Sequence, residues 1–305
     1  MTFSQNVKEE ITRNCYSNNQ LKCILSAFLK NNITINISNN KLLYETKVRN
    51  NCIIRFITKS LSSLYRINKT LYFSKDSKLN NLTTYKLEFE GDFNKIENEL
   101  FIFKDPTFLL QTIEDKQAFL IGAFLSGGSV NNPSSSNYHF EIRSHNFDLI
   151  EYVKKIISEL GVDAKIMKRK NIYVLYVKKS EYISDLLKYM NASESMYIYE
   201  DKRIYRDYTN QMQRLNNLDI SNLKKTVDAS IDQVKWINEL IAHKEIYNSL
   251  SEKEKIFCTL RLKYQQATLN NLVYHYKNEF NLVVTRTGLN HYVRKIRNIY
   301  NKIKK

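Results

Sequence analysis

The sequence predicts an α+β fold: a duplicated α/β unit followed by an all-α helix-turn-helix domain. Three observations carry this. The order helix, two strands, helix, two strands occurs twice, with a period near 95 residues. Both copies open on similar helices, around Cys23–Asn32 and Phe119–Ser129. The last 26 residues, after Glu279, contain basic side chains and no acid, set on a helical apolar stripe.

The elements follow from local pattern. Helical spacing covers 4–14 and 19–30, then strand patterns cover Ile33–Ile37 and Lys41–Lys47. A helix over 50–65 and strands over Thr70–Ser74 and Thr84–Phe89 complete the first copy. The second copy has helices over 115–126, 146–160 and 179–189, with strands over Tyr138–Arg143, Ala164–Lys168 and Ile172–Val177. Small residues stand at matching places in the two opening helices, Ser26 and Ala27 against Gly122 and Ala123. Glycine inside a helix costs about 1 kcal/mol relative to alanine, so Gly122 predicts a close approach of two packed helices. Gly127 and Gly128 are expected to end the helix as C-cap and turn.

The chain divides into a domain over 1–200 (repeats about 19–110 and 115–190), a helical connector over 201–247 and a last domain over 248–305. The connector holds Ile220, Leu223, Val227, Ile231, Val234 and Leu240 at helical spacing, with Trp236 and no Pro or Gly between Asp219 and Lys244. Asp201 and Asp207 with Arg203 and Arg206 read as a helical salt-bridge network, because opposite charges at i, i+3 and i, i+4 share one face.

In the last domain, Ser251 opens a helix with Ile256, Phe257, Leu260 and Leu262 as its apolar positions. Thr268 caps a second helix whose buried side is Leu269, Leu272, Val273 and Tyr276. Thr285 caps a third, on which Leu289, Val293, Ile296, Tyr300 and Ile303 recur at steps of 4, 3, 4 and 3. Arg286, Thr287, Asn290, His291, Arg294, Lys295 and Arg297 fall off that stripe. The first four sit where a recognition helix meets base edges, and Arg and Asn make bidentate contacts to guanine and adenine. Arg294, Lys295 and Arg297 lie further along and suit phosphates. Together with the caps Thr268 and Thr285 these are the candidate DNA-binding residues. One feature departs from the pattern: the connection Lys277–Val284 exceeds the usual three- to four-residue turn. No cysteine or second histidine lies at ligand spacing from His291, so no metal is expected there.

Composition sets the partner class. The 305 residues carry a net charge of +16, of which +7 lies in 1–213 and +9 in 214–305. That balance favours a polyanion, although an AT-rich genome also enriches lysine. Four cysteines without a CxxC pair read as reduced thiols. A polar N-terminus with Glu9 and Glu10, and no run of about 20 apolar residues, predicts a cytoplasmic protein without a membrane partner. Lys165, Lys168, Arg169, Lys170, Lys178 and Lys179 flank strands of the second copy, and Arg66, Lys69, Lys75 and Lys78 those of the first. They fit phosphate contacts and guarded sheet edges equally well.

The run Ile121-Gly122-Ala123-Phe124-Leu125-Ser126-Gly127-Gly128-Ser129 resembles a degenerate LAGLIDADG motif of homing endonucleases. With Asn131-Asn132-Pro133, Tyr138-His139-Phe140-Glu141-Ile142, Glu200–Asp207, Asn222–Thr226 and Thr287-Gly288-Leu289-Asn290-His291, the whole chain resembles the WhiA family of bacterial regulators. The resemblance implies two antiparallel sheets forming a saddle, non-catalytic double-stranded DNA binding, and transcription regulation linked to cell division and chromosome segregation. In sporulating relatives it also implies control of sporulation. An active LAGLIDADG enzyme holds metal with one carboxylate from the end of each motif helix. Those positions fall on Asn32 and Gly127, so no catalytic residue, metal or cofactor is expected. Partners are then double-stranded DNA and other transcription or division proteins, at the nucleoid, without a small-molecule substrate. The alternatives are a DNA-associated adaptor for a division or chromosome protein, and a metal-dependent DNA endonuclease.

Overall fold

The computed structural model describes residues 2–38, 41–76, 82–135 and 137–304, and Lys78 lies outside them. The chain forms two compact units, Met1–Asp207 and Tyr208–Lys305.

The first unit starts with α1 (Phe3–Arg13) and α2 (Asn18–Asn32), each opened by a capping box, Thr2 with Gln5 and Ser17 with Gln20. Then come β1 (Ile33–Ser38), β2 (Lys41–Val48), α3 (Asn51–Leu64), β3 (Ile67–Asp76), β4 (Leu82–Gly91) and α4 (Phe93–Leu100). After a 3₁₀ turn at Pro106–Leu109, the second copy runs α5 (Ile113–Gly127), β5 (Gly128–Val130), β6 (Phe140–Ser144), α6 (Phe147–Glu159), β7 (Lys165–Arg169), β8 (Ile172–Val177) and α7 (Ser180–Tyr189). Both sheets are antiparallel and follow one path, β1-β2-β4-β3 and β5-β6-β8-β7. The duplication is therefore complete at the level of topology. The core lies between helices and sheets, with Ile24, Phe28, Leu87 and Phe89 from the first copy and Leu120, Phe124, Ile142 and Leu175 from the second all buried.

The short elements α4, the 3₁₀ turn and β5 were not expected from the sequence. β5 spans three residues, too few to show alternation, and Gly128 disguised it as a turn. The expected turn at Gly127 and Gly128 is absent. Gly128 is the C-cap, but in extended conformation (φ −78°, ψ 152°), so α5 passes straight into β5. The glycines serve close approach instead. A Cβ at Gly127 would collide with the Arg143 carbonyl oxygen, and one at Gly128 with the Phe124 ring. Gly122 has the expected packing reason, since its Cβ would overlap the Ile24 carbonyl of α2.

Lys8 of α1 lies 5.4 Å from the Phe124 ring centroid, and burial pushes its ammonium down to about 8. The folded state then binds fewer protons than the unfolded one between pH 8 and the ordinary lysine value of 10.5. Stability from this group must rise with pH across that window. Lys8→Met should remove the rise and add about 1–3 kcal/mol at pH 7. Thermal melts from pH 7 to 10 check both, and a melting temperature lowered by the substitution at pH 7 would refute the assignment.

Around the start of α8 (Ser193–Ala242) the expected salt-bridge network is present only in part: no ion pair among the described residues holds Asp201, and the hub is Arg203. It pairs with Glu200 at 2.7 Å and with Glu181 and Asp207 at 3.9 Å. Arg206 donates to the Ser135 carbonyl at 2.7 Å and covers the Tyr138 ring at 4.7 Å.

The second unit takes the remainder of α8, then α9 (Lys244–Asn248), α10 (Glu252–Lys263), α11 (Leu269–Phe280) and α12 (Arg286–Ile303). Its core is Ile237, Leu240, Phe257, Leu260, Leu272, Tyr276, Leu289 and Ile296. The connection between α11 and α12 is shorter than the sequence suggested. α11 continues to Phe280, and Asn281 ends it in the left-handed region (φ 51°) with its N–H on the Lys277 carbonyl at 3.1 Å. Asparagine tolerates that conformation better than most residues.

Candidate nucleic-acid interface

The geometry of α12 starts at its cap. The Thr285 hydroxyl accepts the Gly288 N–H at 3.1 Å, which fixes where the first turn begins. From that start, Leu289, Ile296 and Tyr300 are buried, and the polar candidates face outward. Thr268 likewise caps α11, accepting the Asn271 N–H at 3.2 Å.

Five of the nine candidates converge. Thr268, Arg286, Asn290, Arg294 and Arg297 line one cleft of about 640 Å³, with Asn270, Lys225, Trp236 and Arg261. The steps from 286 to 290, 294 and 297 place these side chains on one face of α12. The Arg297 guanidinium lies 5.8 Å from the Trp236 ring centroid, which orients it. The lining has four arginines and Lys225 against a single acid, Asp232. A cleft of that sign suits a phosphodiester, and Asn290 with Arg286 in its lining adds hydrogen-bonding capacity for base edges.

The other four candidates are placed differently. Thr285 spends its hydroxyl on the cap. Thr287 and His291 are exposed and do not line the cleft. Lys295 is committed within the domain, with its ammonium 2.8 and 3.0 Å from the carboxylate of Glu254, whose side chain is 6% exposed. Burial pushes that carboxyl up, but hydrogen bonds from Lys295 and Ser251 more than offset it and hold it below the usual range.

Arg261 was not singled out by sequence. It is only 2% exposed. Its Nη1 donates to the Ala267 carbonyl at 2.6 Å and more weakly to those of Gln265 and Tyr264. Those carbonyls belong to the segment that delivers Thr268 to the cleft. Burial lowers its guanidinium to about 10. Lys225 and Trp236 were read as parts of the connector and not of the interface, because they stand far from α12 in sequence.

At the two positions where a LAGLIDADG enzyme holds metal, the chemistry is amide and backbone. The Asn32 side chain donates to the Ser126 carbonyl at 3.4 Å, and Asn31 bridges the Ser126 hydroxyl (2.9 Å) and the Arg143 carbonyl (3.1 Å). Gly127 has no room for a carboxylate, because any Cβ meets the Arg143 carbonyl.

Three family models match the chain: the WhiA N-terminal LAGLIDADG-like domain over residues 18–103, the WhiA LAGLIDADG-like domain over 116–209 and the WhiA C-terminal HTH domain over 212–300. A relative described as "Probable cell division protein WhiA" from Staphylococcus carnosus (strain TM300) is 32% identical over 311 residues, covering 100% of this chain and 98% of its own. One of the same description from Lactobacillus helveticus is 32% identical over 312 residues, covering 99% of each. The crystal structure of full-length DUF199/WhiA from Thermatoga maritima shares the fold, with a TM-score of 0.62 at 20% identity over 99% of both chains. That of the N-terminal LAGLIDADG domain of DUF199/WhiA has a TM-score of 0.52 at 21% identity, over 62% of this chain and 90% of its own.

Proposed function

The chain belongs to the WhiA family, and from that premise we propose that it binds double-stranded DNA without cutting it, as a transcription regulator serving cell division and chromosome segregation at the nucleoid. The observation that carries the reading is the cleft on the HTH domain, where Thr268, Arg286, Asn290, Arg294 and Arg297 meet. Arg294 and Arg297 neutralise phosphates, while Arg286 and Asn290 read base edges from the first turns of α12. No helix among the described residues is long and apolar enough to cross a membrane.

The test is duplex binding over a salt series. Arg294→Ala plus Arg297→Ala should weaken affinity about 10- to 100-fold near 0.1 M salt and make the log–log salt slope shallower by about 0.9 per lost contact. Unchanged affinity and slope would defeat the proposal. Incubation of supercoiled plasmid with Mg²⁺ or Mn²⁺ should leave it intact, and metal-dependent nicking by purified protein would revive the endonuclease alternative.

A further inference from the structure

Helix α8 carries a row of apolar side chains turned to solvent. Within the second unit, Met212, Ile220, Leu223 and Ile231 are 41, 65, 64 and 60% exposed. With Asn216 and the half-buried Val227 they follow one another at steps of 4, 4, 3, 4 and 4. Those steps keep all six on one side of the helix, as a stripe without a charged residue. Leu215 and Leu218 lie off it, in a short row of their own that ends at Ser221 and Asn222. The basic cleft uses another side of α8, through Lys225, Ala229, Gln233 and Trp236.

The stripe is self-complementary. Its steps read the same in both directions about a point between Ser221 and Asn222. Laid antiparallel against a copy of itself, the helix sets Ile220 level with Leu223, Asn216 with Val227 and Met212 with Ile231. A twofold axis requires that correspondence of an isologous contact. Charge favours the same arrangement. Residues 208–235 carry four basic and three acidic side chains, so two copies meet there with little net repulsion. Residues 236–305 carry thirteen basic and five acidic ones. Antiparallel pairing sets those two basic ends apart, where parallel pairing would bring them together. From Met212 to Ile231 the stripe runs about 28 Å, and two helices packed along it bury about 1,200 Å² in all, at the lower end for a specific interface.

We propose that this stripe is a homodimer contact, with a second copy of the chain packed antiparallel across Ile220 and Leu223. An interface of that area gives a weak association, with a dissociation constant of about 1–100 µM. The chain therefore passes from monomer to dimer as its concentration rises. Pairing spends none of the cleft residues, so each copy keeps Arg286, Asn290, Arg294 and Arg297 for its own partner. The dimer stands independently of the DNA-binding reading and survives its failure.

The experiment uses the full chain without DNA. Analytical ultracentrifugation from about 1 to about 200 µM should show a monomer–dimer equilibrium. Ile220→Glu plus Leu223→Glu should keep the chain monomeric throughout, with an unchanged melting temperature at low concentration, because both side chains are exposed. Crosslinking reads the register, in a chain that also carries Cys15→Ser and Cys52→Ser. Met212→Cys protein mixed with Ile231→Cys protein should form an intermolecular disulfide. Neither should form one alone, since antiparallel pairing holds Met212 about 28 Å from its own counterpart. A chain monomeric at about 200 µM overturns the proposal and leaves the stripe to a different protein. Dimerisation unaffected by the double substitution overturns the location, and a disulfide formed by Met212→Cys alone overturns the antiparallel arrangement.

Discussion

Replacing Gly122 with alanine should destabilise the first unit by about 3 kcal/mol or more. The reason is geometric. The Cβ would overlap the backbone carbonyl of Ile24, and no rotamer change relieves a clash with backbone. The clash would force α2 and α5 apart, and with them the buried Phe28, Leu120 and Phe124. Helix propensity works the other way, favouring alanine by about 1 kcal/mol, so the clash must exceed that to show. Gly288→Ala in α12 is the control. Its Cβ meets only the Val284 methyl at 3.3 Å and the Thr285 hydroxyl at 3.5 Å, so the propensity gain should leave it near neutral. Urea titrations of both variants give the comparison, and a Gly122→Ala protein as stable as the parent would show that the two helices yield. The same crowding makes a prediction for chemistry. Asn32→Asp with Gly127→Asp should restore no metal-dependent cleavage, because an aspartate at 127 cannot be accommodated beside the Arg143 carbonyl.

Arg261→Ala should cost the second unit about 3–5 kcal/mol and depress DNA affinity with it. The side chain is among the largest fully buried ones, so truncation opens a cavity, and it strips the Ala267, Gln265 and Tyr264 carbonyls of their donor. Arg261→Met keeps most of the volume and removes the donor and the charge. If cavity alone matters, methionine restores both stability and binding. If the carbonyls matter, methionine recovers part of the stability while binding stays weak, because the segment leading to Thr268 is no longer held. Melting temperature and duplex affinity, measured on both variants, distinguish these. Wild-type stability and affinity in Arg261→Ala would remove Arg261 from the account.

Much of the fold was legible because its signals are local. The helix starts at Ser251, Thr268 and Thr285 act within four residues, and the apolar stripe of α12 repeats every three or four. The strand β5 escaped because three residues carry no period, and α11 runs past its expected end until the left-handed Asn281 stops it. The candidate interface was legible as a set of residues and not as an arrangement. Lys295 looked like its neighbours Arg294 and Arg297 until folding set it against Glu254, 41 residues away.

The sequence by itself determined the order of the longer elements, the duplication, the acid-free end and the lack of a carboxylate at Asn32 and Gly127. These depend on residue type and short spacing, which the chain carries wherever it folds. Only the tertiary structure decided which cations remain available. Arg261 is buried, Lys295 is paired, and Lys86 is cancelled by Glu45 and Glu88. A charge acts on a partner only after its own neighbours have taken their share, and those neighbours are assembled by packing between distant parts of the chain.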